Sequence, residues 1–460
     1  MADPELPRET APGAAPQSAP EGAPGIRSGR GPGIRPELDP GIPALAVVIP
    51  AYDASRFLPH ALAALAGARV PVLVVDDASR DDTAACAEAH GARVLRLPHR
   101  QGPAAARNAG AQALAAEVVL FLDADCVAHP AVPARVRAAF ARDPGLVGLS
   151  GSYDAHPPER NFASLYMNLR HHHTHQIAPP DTRSFWAGCG AVRRAAFLAA
   201  GGFDARRFPA PAIEDIELAV RLGRHGRLRF DRALQATHRK RWGLASLVDT
   251  EIRRRAIPWA RLVAGSPEAP RGLNLRPSQR AAALLAPIAL AALPALAWAL
   301  ARGHSGMAAA SVAVLAAAWA SNASLFACFA RHGGPRFAAA AFLFHQLHLV
   351  YAGAAFALAL AAERGRLRRR AAPERAASEP VKESATEQRA VAGRPDARRD
   401  DEPDRDRARR SNAADGLPPQ AMRPSRLLHR LSGAQHEARR EDGGEREREP
   451  GEGERRPAAP

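Results

Sequence analysis

Cysteine is scarce in this chain. Its four residues, Cys86, Cys126, Cys189 and Cys328, are scattered over 460 positions without CxxC spacing. That pattern indicates neither a disulfide framework nor a zinc site, and a reducing cytoplasm is the simple reading. Aromatic residues make up 5% of the chain and form no aromatic–basic platform of the kind that holds single-stranded nucleic acid. Nucleic acid is therefore not expected as a partner, although the formal net charge is +16. Arginine supplies nearly all of the positive charge. It gathers beside apolar segments and in the C-terminal part, where it is explained without a binding fold. Residues 1–43 are rich in proline, glycine and alanine and lack the apolar h-region of a signal peptide. They read as a disordered leader.

What the chain does contain is organised around Val118-Val119-Leu120-Phe121-Leu122. Five apolar residues in succession predict a strand buried on both faces. The run ends at Asp123-Ala124-Asp125, beyond the carboxyl end of the strand, where open α/β sheets bind ligands. Residues two apart along an extended chain point the same way, so both carboxylates can reach one cation or one sugar hydroxyl. Oxygen ligands of this kind suit Mg²⁺ or Mn²⁺.

Earlier elements follow the same plan. Leu45–Pro50 predicts a first strand, a helix follows over 57–65 with Gly67 as its C-cap, and Val70–Val75 predicts a second strand. The acidic loop Asp76–Thr83 leads into a helix over 82–90, Arg93–Leu97 gives a third strand, and Gln101–Gly110 opens another helix. This βαβαβαβ alternation predicts an α/β, doubly wound, mostly parallel sheet. Further strands are expected at Gly148–Tyr153 and Phe185–Val192, with a helix over Arg193–Ala200. Ile213-Glu214-Asp215 reads as a helix start with acids in the first turn, where the macrodipole favours them. The tract His171-His172-His173-Thr174-His175 has two readings, a metal site or a polar helix facing an acceptor, and has no neighbouring carboxylate in sequence to complete a metal site.

From 281 to 362 the composition becomes apolar. Residues 281–301 and 307–330 are long enough to span a membrane, and 337–362 is a third apolar run that carries His345, Gln346, His348 and Tyr351. Arginines flank all three runs. Two arrangements remain open: two crossings followed by an interfacial or re-entrant third segment, or three true spans. Residues 261–280 read as a linker or interfacial segment, and 363–460 as a disordered charged tail.

Together, Val47–Tyr52, Val74–Ser79, Gly102–Gly110, Phe121–Asp125 and Ile213–Asp215 resemble glycosyltransferase family 2, whose catalytic domain has the GT-A fold. The likeness covers residues 44–260. It implies an inverting transferase that takes a sugar from a nucleotide-diphosphate sugar, and anchoring by the apolar C-terminal segments suggests a lipid-linked or cell-surface glycan acceptor. It places Pro50, Tyr52 and Asp53 at the nucleotide base, Asp76 and Asp77 at the base or ribose, and Arg107 at the diphosphate. Asp123 is expected near the ribose or donor sugar and Asp125, with Asp123, on Mg²⁺ or Mn²⁺. Asp215 matches the base that deprotonates the acceptor, with Glu214 as second candidate, and at an ordinary pKa it would already be ionised at neutral pH.

His238-Arg239-Lys240-Arg241-Trp242 is similar to the Gln-x-x-Arg-Trp motif of membrane-embedded members, with His238 in place of glutamine. By that likeness Arg241 contacts diphosphate and Trp242 lines the acceptor site. A basic stretch resting on lipid headgroups is the alternative. The implied location is the inner (cytoplasmic) membrane, multi-pass, with the catalytic domain on the cytoplasmic side. A processive polysaccharide synthase and a catalytically inert membrane scaffold are the competing functions.

Overall fold

The computed structural model describes residues 44–265 and 277–378. The expected leader, residues 266–276 of the linker and residues 379–460 of the tail lie outside the described residues.

Nine strands build one sheet: β1 Leu45–Ala51, β2 Val72–Asp76, β3 Arg93–Arg96, β4 Val118–Leu122, β5 Cys126–Ala128, β6 Leu146–Tyr153, β7 Asp181–Thr182, β8 Cys189–Arg193 and β9 Arg227–His238. Their order is β3-β2-β1-β4-β8-β6-β9-β5, and β7 pairs with β9 outside that path. The half from β3 to β4 is parallel throughout. The other half is mixed, because β8 runs antiparallel to both β4 and β6 while β6 and β9 are parallel.

Side-chain alternation explains why the central strands carry unbroken apolar runs. Val118, Leu120 and Leu122 join Leu45, Val47 and Ile49 in the core on one face. Val119 and Phe121 join Ala46, Val48 and Val75 on the other. Each such side chain contributes about 1.5–3 kcal/mol on leaving water, so a strand covered on both faces is strongly held. Helices Leu58–Leu65 and Val132–Arg142 cover the first face; Pro103–Ala113 and Glu214–Leu222 cover the second.

Several boundaries differ from expectation. The first helix ends at Leu65 and tightens into a 3₁₀ turn over Ala66–Ala68; Arg69, not Gly67, takes the left-handed conformation that stops it. Only Cys189–Arg193 of the expected Phe185–Val192 strand is paired. The 12-residue strand β9 has no counterpart among the expected elements.

The apolar C-terminal part is helical over Pro277–Arg302, Ser305–Ala320, Ala323–Gly333 and Pro335–Ser378. Gln279–Arg302 and Pro335–Leu367 are long and apolar enough to cross a membrane. The irregular segment is the second run and not the third: at Ser321-Asn322 it bends by 78°. Ser321 marks the break: its hydroxyl donates to the Ala318 carbonyl at 2.7 Å and accepts from the Asn322 side-chain amide at 3.1 Å. The last helix continues past 363 to Ser378, so the first part of the expected tail is helical.

These helices pack on the catalytic half through a third core, in which Tyr166, Leu169 and Trp242 meet Phe326, Phe329, Ala341 and Phe342. The polar residues of the third run explain themselves there. The Tyr166 hydroxyl and His345 Nδ1 are 2.8 Å apart, and Arg170 donates to His348 Nε2 at 2.9 Å. Further along, Phe356 packs beside Trp259 and Ile213.

Candidate active site

Strand β4 delivers its two aspartates to the sheet edge. The Asp123 amide donates to the Gly188 carbonyl at 3.1 Å, and the Cys126 amide closes a turn onto the Asp123 carbonyl at 2.9 Å. Pairing of β5 with β9 sets Cys126 opposite His238, and the Arg239 amide donates to the Asp125 carbonyl at 2.8 Å. His238 Nε2 therefore lies 3.6 Å from an Asp125 carboxylate oxygen. Tyr153 stacks on the His238 ring at 4.4 Å and fixes its plane. Burial pushes the Asp125 carboxyl up, but His238 and Lys240 more than offset it and hold Asp125 below the ordinary carboxylate range.

Arg107 ties the two acidic motifs together. It is buried on helix Pro103–Ala113 and donates to Asp123 at 2.6 Å and to Glu214 at 3.1 Å. Its guanidinium pKa is raised, because the neighbouring carboxylates outweigh its burial. Glu214 also accepts from the Ala212 amide at 2.8 Å, which pins the loop ahead of its helix. Asp215 follows, held by the Ala187 amide at 3.3 Å and the Ile216 amide at 2.8 Å. Burial first, and then the charge of Glu214, lift Asp215 to about 7. The expectation of an ordinary carboxylate pKa is corrected by that environment.

A cavity of about 1430 Å³ is lined by Asp123, Asp125, Arg107, Glu214, Asp215 and His238. Lys240, Trp186, Arg254 and Arg255 also line it, together with Leu284, Pro287, Leu349, Val350 and Phe356 of the apolar helices. Thr250–Ala256 is π-helical, a rare form frequent at functional sites, and carries Glu251, Arg254 and Arg255 into this region. Glu251 accepts from Arg170 at 2.6 Å and from Arg255 at 2.8 Å. It is held down at about 2, its burial outweighed by the two arginines.

The remaining expected residues divide. Tyr52 lies under the Arg100 guanidinium at 3.9 Å, and Pro50 precedes it in β1. Asp53 adopts φ of 47° and accepts from the Arg80 amide at 2.8 Å. Asp76 is fully buried, its oxygens taken by the Ser79 amide at 3.0 Å and Arg96 Nε at 3.0 Å. Both Asp77 oxygens accept backbone amides, those of Gln101 and Gly102, each at 2.7 Å. Asp77 thereby holds the start of helix Pro103–Ala113, where Gly102 takes φ of +89° and a side chain would strike the Pro209 carbonyl at 2.1 Å. This is a capping role on the next helix, and it commits Asp77 to the backbone.

The His238–Trp242 stretch is rearranged relative to expectation. Arg241 is exposed and pairs with Glu159 at 3.1 Å, away from the aspartates. Trp242 is buried beneath Lys240, whose ammonium sits 4.1 Å above the ring. His238, Lys240 and Trp242 line the cavity described above, as expected of Trp242, whereas Arg241 does not. In sequence, their shared parity along an extended segment was the available signal.

Asp123, Asp125 and Cys126 offer ligand atoms within 4.8 Å of one another. Burial pushes the Cys126 thiol well up, which leaves it protonated and a poor ligand. The two carboxylates, with the His238 imidazole beside Asp125, fit a divalent cation of the Mg²⁺ or Mn²⁺ kind.

Residues 46–199 match the model of Glycosyl transferase family 2 and are similar to its members over that stretch. Curated glycosyltransferases of uncharacterized role from Mycobacterium bovis and Mycobacterium tuberculosis are 45% identical over 83 residues, 18% of this chain and 37% of theirs. The chain therefore aligns with little more than a third of those relatives. A mannosyltransferase from Pyrobaculum calidifontis, solved with GDP-Man and Mn²⁺, is 20% identical over 68% of this chain and 87% of its own, with a TM-score of 0.42. Glucosyl-3-phosphoglycerate synthase from Mycobacterium tuberculosis, solved with Mn²⁺, UDP and its product, is 21% identical over 44% and 73%, with a TM-score of 0.33.

Proposed function

We propose that the protein is an inverting, metal-dependent glycosyltransferase that moves a sugar from a nucleotide-diphosphate donor to a lipid-linked or glycan acceptor at a membrane. The observation that carries this reading is one cavity lined both by Asp123, Asp125, His238 and Asp215 and by the apolar helices. An amphiphilic acceptor fits such a mixed lining: a charged head on Lys240, Arg254 and Arg255, and a tail along Leu284, Leu349 and Val350.

In this mechanism Asp123, Asp125 and His238 would hold Mg²⁺ or Mn²⁺, which would supply charge neutralisation for the diphosphate leaving group. Arg107 fixes the Asp123 carboxylate and, through Glu214, the loop that presents Asp215. Asp215 takes the acceptor proton as the acceptor oxygen bonds to the anomeric carbon and the bond to the donor phosphate oxygen breaks. Attack from the face opposite the leaving group gives inversion. Pro50, Tyr52 and Asp53 form the base side of the donor site at the end of β1, and Asp76, buried with its oxygens on the Ser79 amide and Arg96, holds the neighbouring loop in place.

The catalytic half is read as cytoplasmic, with the helices in the inner membrane. Gln279–Arg302 and Pro335–Leu367 are long and apolar enough to be the crossings, and helix Ala323–Gly333 of the bent pair rests on the catalytic half. The test of the donor site is the unfolding midpoint of the full-length protein with nucleoside diphosphates. The midpoint is expected to rise with Mn²⁺ and one nucleotide, and to stay unmoved with EDTA or in Asp125→Ala. Equal stabilisation of Asp125→Ala overturns the assignment.

A further inference from the structure

We propose that His172, Cys328 and His332 form a second metal site, for Zn²⁺ or a similar borderline-soft divalent ion, that joins the catalytic half to helix Ala323–Gly333. Their ligand atoms all lie within 4.8 Å of one another, and all three side chains are half-buried. A tetrahedral ion with Zn–S of about 2.3 Å and Zn–N of about 2.1 Å holds its donor atoms about 3.4–3.6 Å apart, a distance that small side-chain rotations reach from this arrangement.

Three features distinguish the cluster from incidental packing. First, His172 Nδ1 lies 2.7 Å from the Tyr153 carbonyl. A carbonyl only accepts, so Nδ1 carries the proton and Nε2 keeps its lone pair. This is the orientation by which metal-binding histidines are commonly fixed. Second, Cys328 and His332 are one helical turn apart, at i and i+4, and so share a face of their helix. The facing histidine comes from helix Phe162–Gln176, so the ion would bridge segments distant in sequence. Third, the His156 ring lies 5.7 Å from that of His332, close enough to supply a fourth ligand or to hydrogen-bond a ligating water.

The donor set decides the ion. Two imidazoles and a thiolate with no carboxylate favour Zn²⁺ over Mg²⁺, and bind differently from the oxygen-rich Asp123–Asp125 pair. The interface is already made by polar contacts: His173 Nε2 lies 3.0 Å from the Ser324 hydroxyl, and Arg160 donates to the His332 carbonyl at 3.1 Å. An ion would clamp it. Neighbours of His172 on its own helix, His171 and His175, line the cavity, so the clamp would fix the wall of the candidate acceptor site.

The test uses full-length protein purified in detergent, stripped with chelator and titrated with Co²⁺, then Zn²⁺. Expected is one Co²⁺ per chain with a thiolate-to-cobalt charge-transfer band in the near ultraviolet, displaced by one Zn²⁺. The band persists in Asp125→Ala, which separates this site from the donor site. It disappears in Cys328→Ser and weakens in His332→Gln. Zn²⁺ also slows alkylation of Cys328 while leaving Cys86 unaffected. A wild-type protein that shows no such band at saturating Co²⁺ overturns the proposal, as does an unchanged band in Cys328→Ser. If Cys328→Ser fails to fold, the wild-type spectrum and the alkylation of Cys328 still decide.

Discussion

Asp215 and Glu214 are adjacent carboxylates with different environments. Glu214 is paired with Arg107, whereas Asp215 is half-buried beside the Glu214 charge and is lifted to about 7. A raised pKa means that the carboxyl is protonated below about 7 and becomes a base only above it, so turnover should rise through that pH with the loss of one proton. The check is kcat against pH at saturating donor and acceptor. A profile flat from about pH 6 to about pH 8 argues that another group takes the proton. Asp215→Asn should lower kcat by at least about 10²-fold, the scale of a lost general base. The acidic pairs were legible in the sequence because Asp123 and Asp125 close an apolar strand and Glu214 and Asp215 open a helix. The choice of His238 over Arg241 was not, because it depends on the register of β5 against β9, which no local pattern reveals.

At the level of elements, the parallel half of the sheet was readable and the mixed half was not. Strands β1, β2 and β4 are buried on both faces and announce themselves as apolar runs. Strand β9, Arg-Leu-Arg-Phe-Asp-Arg-Ala-Leu-Gln-Ala-Thr-His, is half exposed, and its pairing with β6 shifts register near the middle, which breaks the alternation that would betray it. The same holds for Asp77, whose partners lie 24 and 25 positions away. Helix Pro103–Ala113 approaches the sheet closely at Gly110, where a Cβ would stand 2.5 Å from Val48 Cγ1 and 3.0 Å from Val75 Cγ2. Gly110→Ala is therefore expected to destabilise the domain by about 1–3 kcal/mol, the usual cost of overpacking. A shift of the urea midpoint at constant slope measures it; no shift would mean that the two valines yield freely.

For the whole molecule, the central feature is a sheet-bearing half sealed against apolar helices by polar as well as apolar contacts. Arg170 and Glu251 of the catalytic half meet His348 of the last helix, and Tyr166 meets His345. These polar side chains made the third apolar run look like the irregular one, whereas they face protein and the break falls at Ser321-Asn322. The full-length protein should stay with membranes through an alkaline carbonate wash and leave only with detergent, as spanning helices require. Release by carbonate alone would reduce the helices to a peripheral apolar collar.

Transfer itself tests the account most directly. Purified full-length protein would be given a panel of nucleotide-diphosphate sugars and a polyprenyl phosphate acceptor, with Mn²⁺, Mg²⁺ or EDTA, beside Asp125→Ala and Asp215→Asn. The account predicts that one donor is consumed to give a product of inverted anomeric configuration, that EDTA and Asp125→Ala abolish turnover, and that Asp215→Asn still binds donor but does not transfer. Metal-independent turnover, or full transfer by Asp215→Asn, would contradict it.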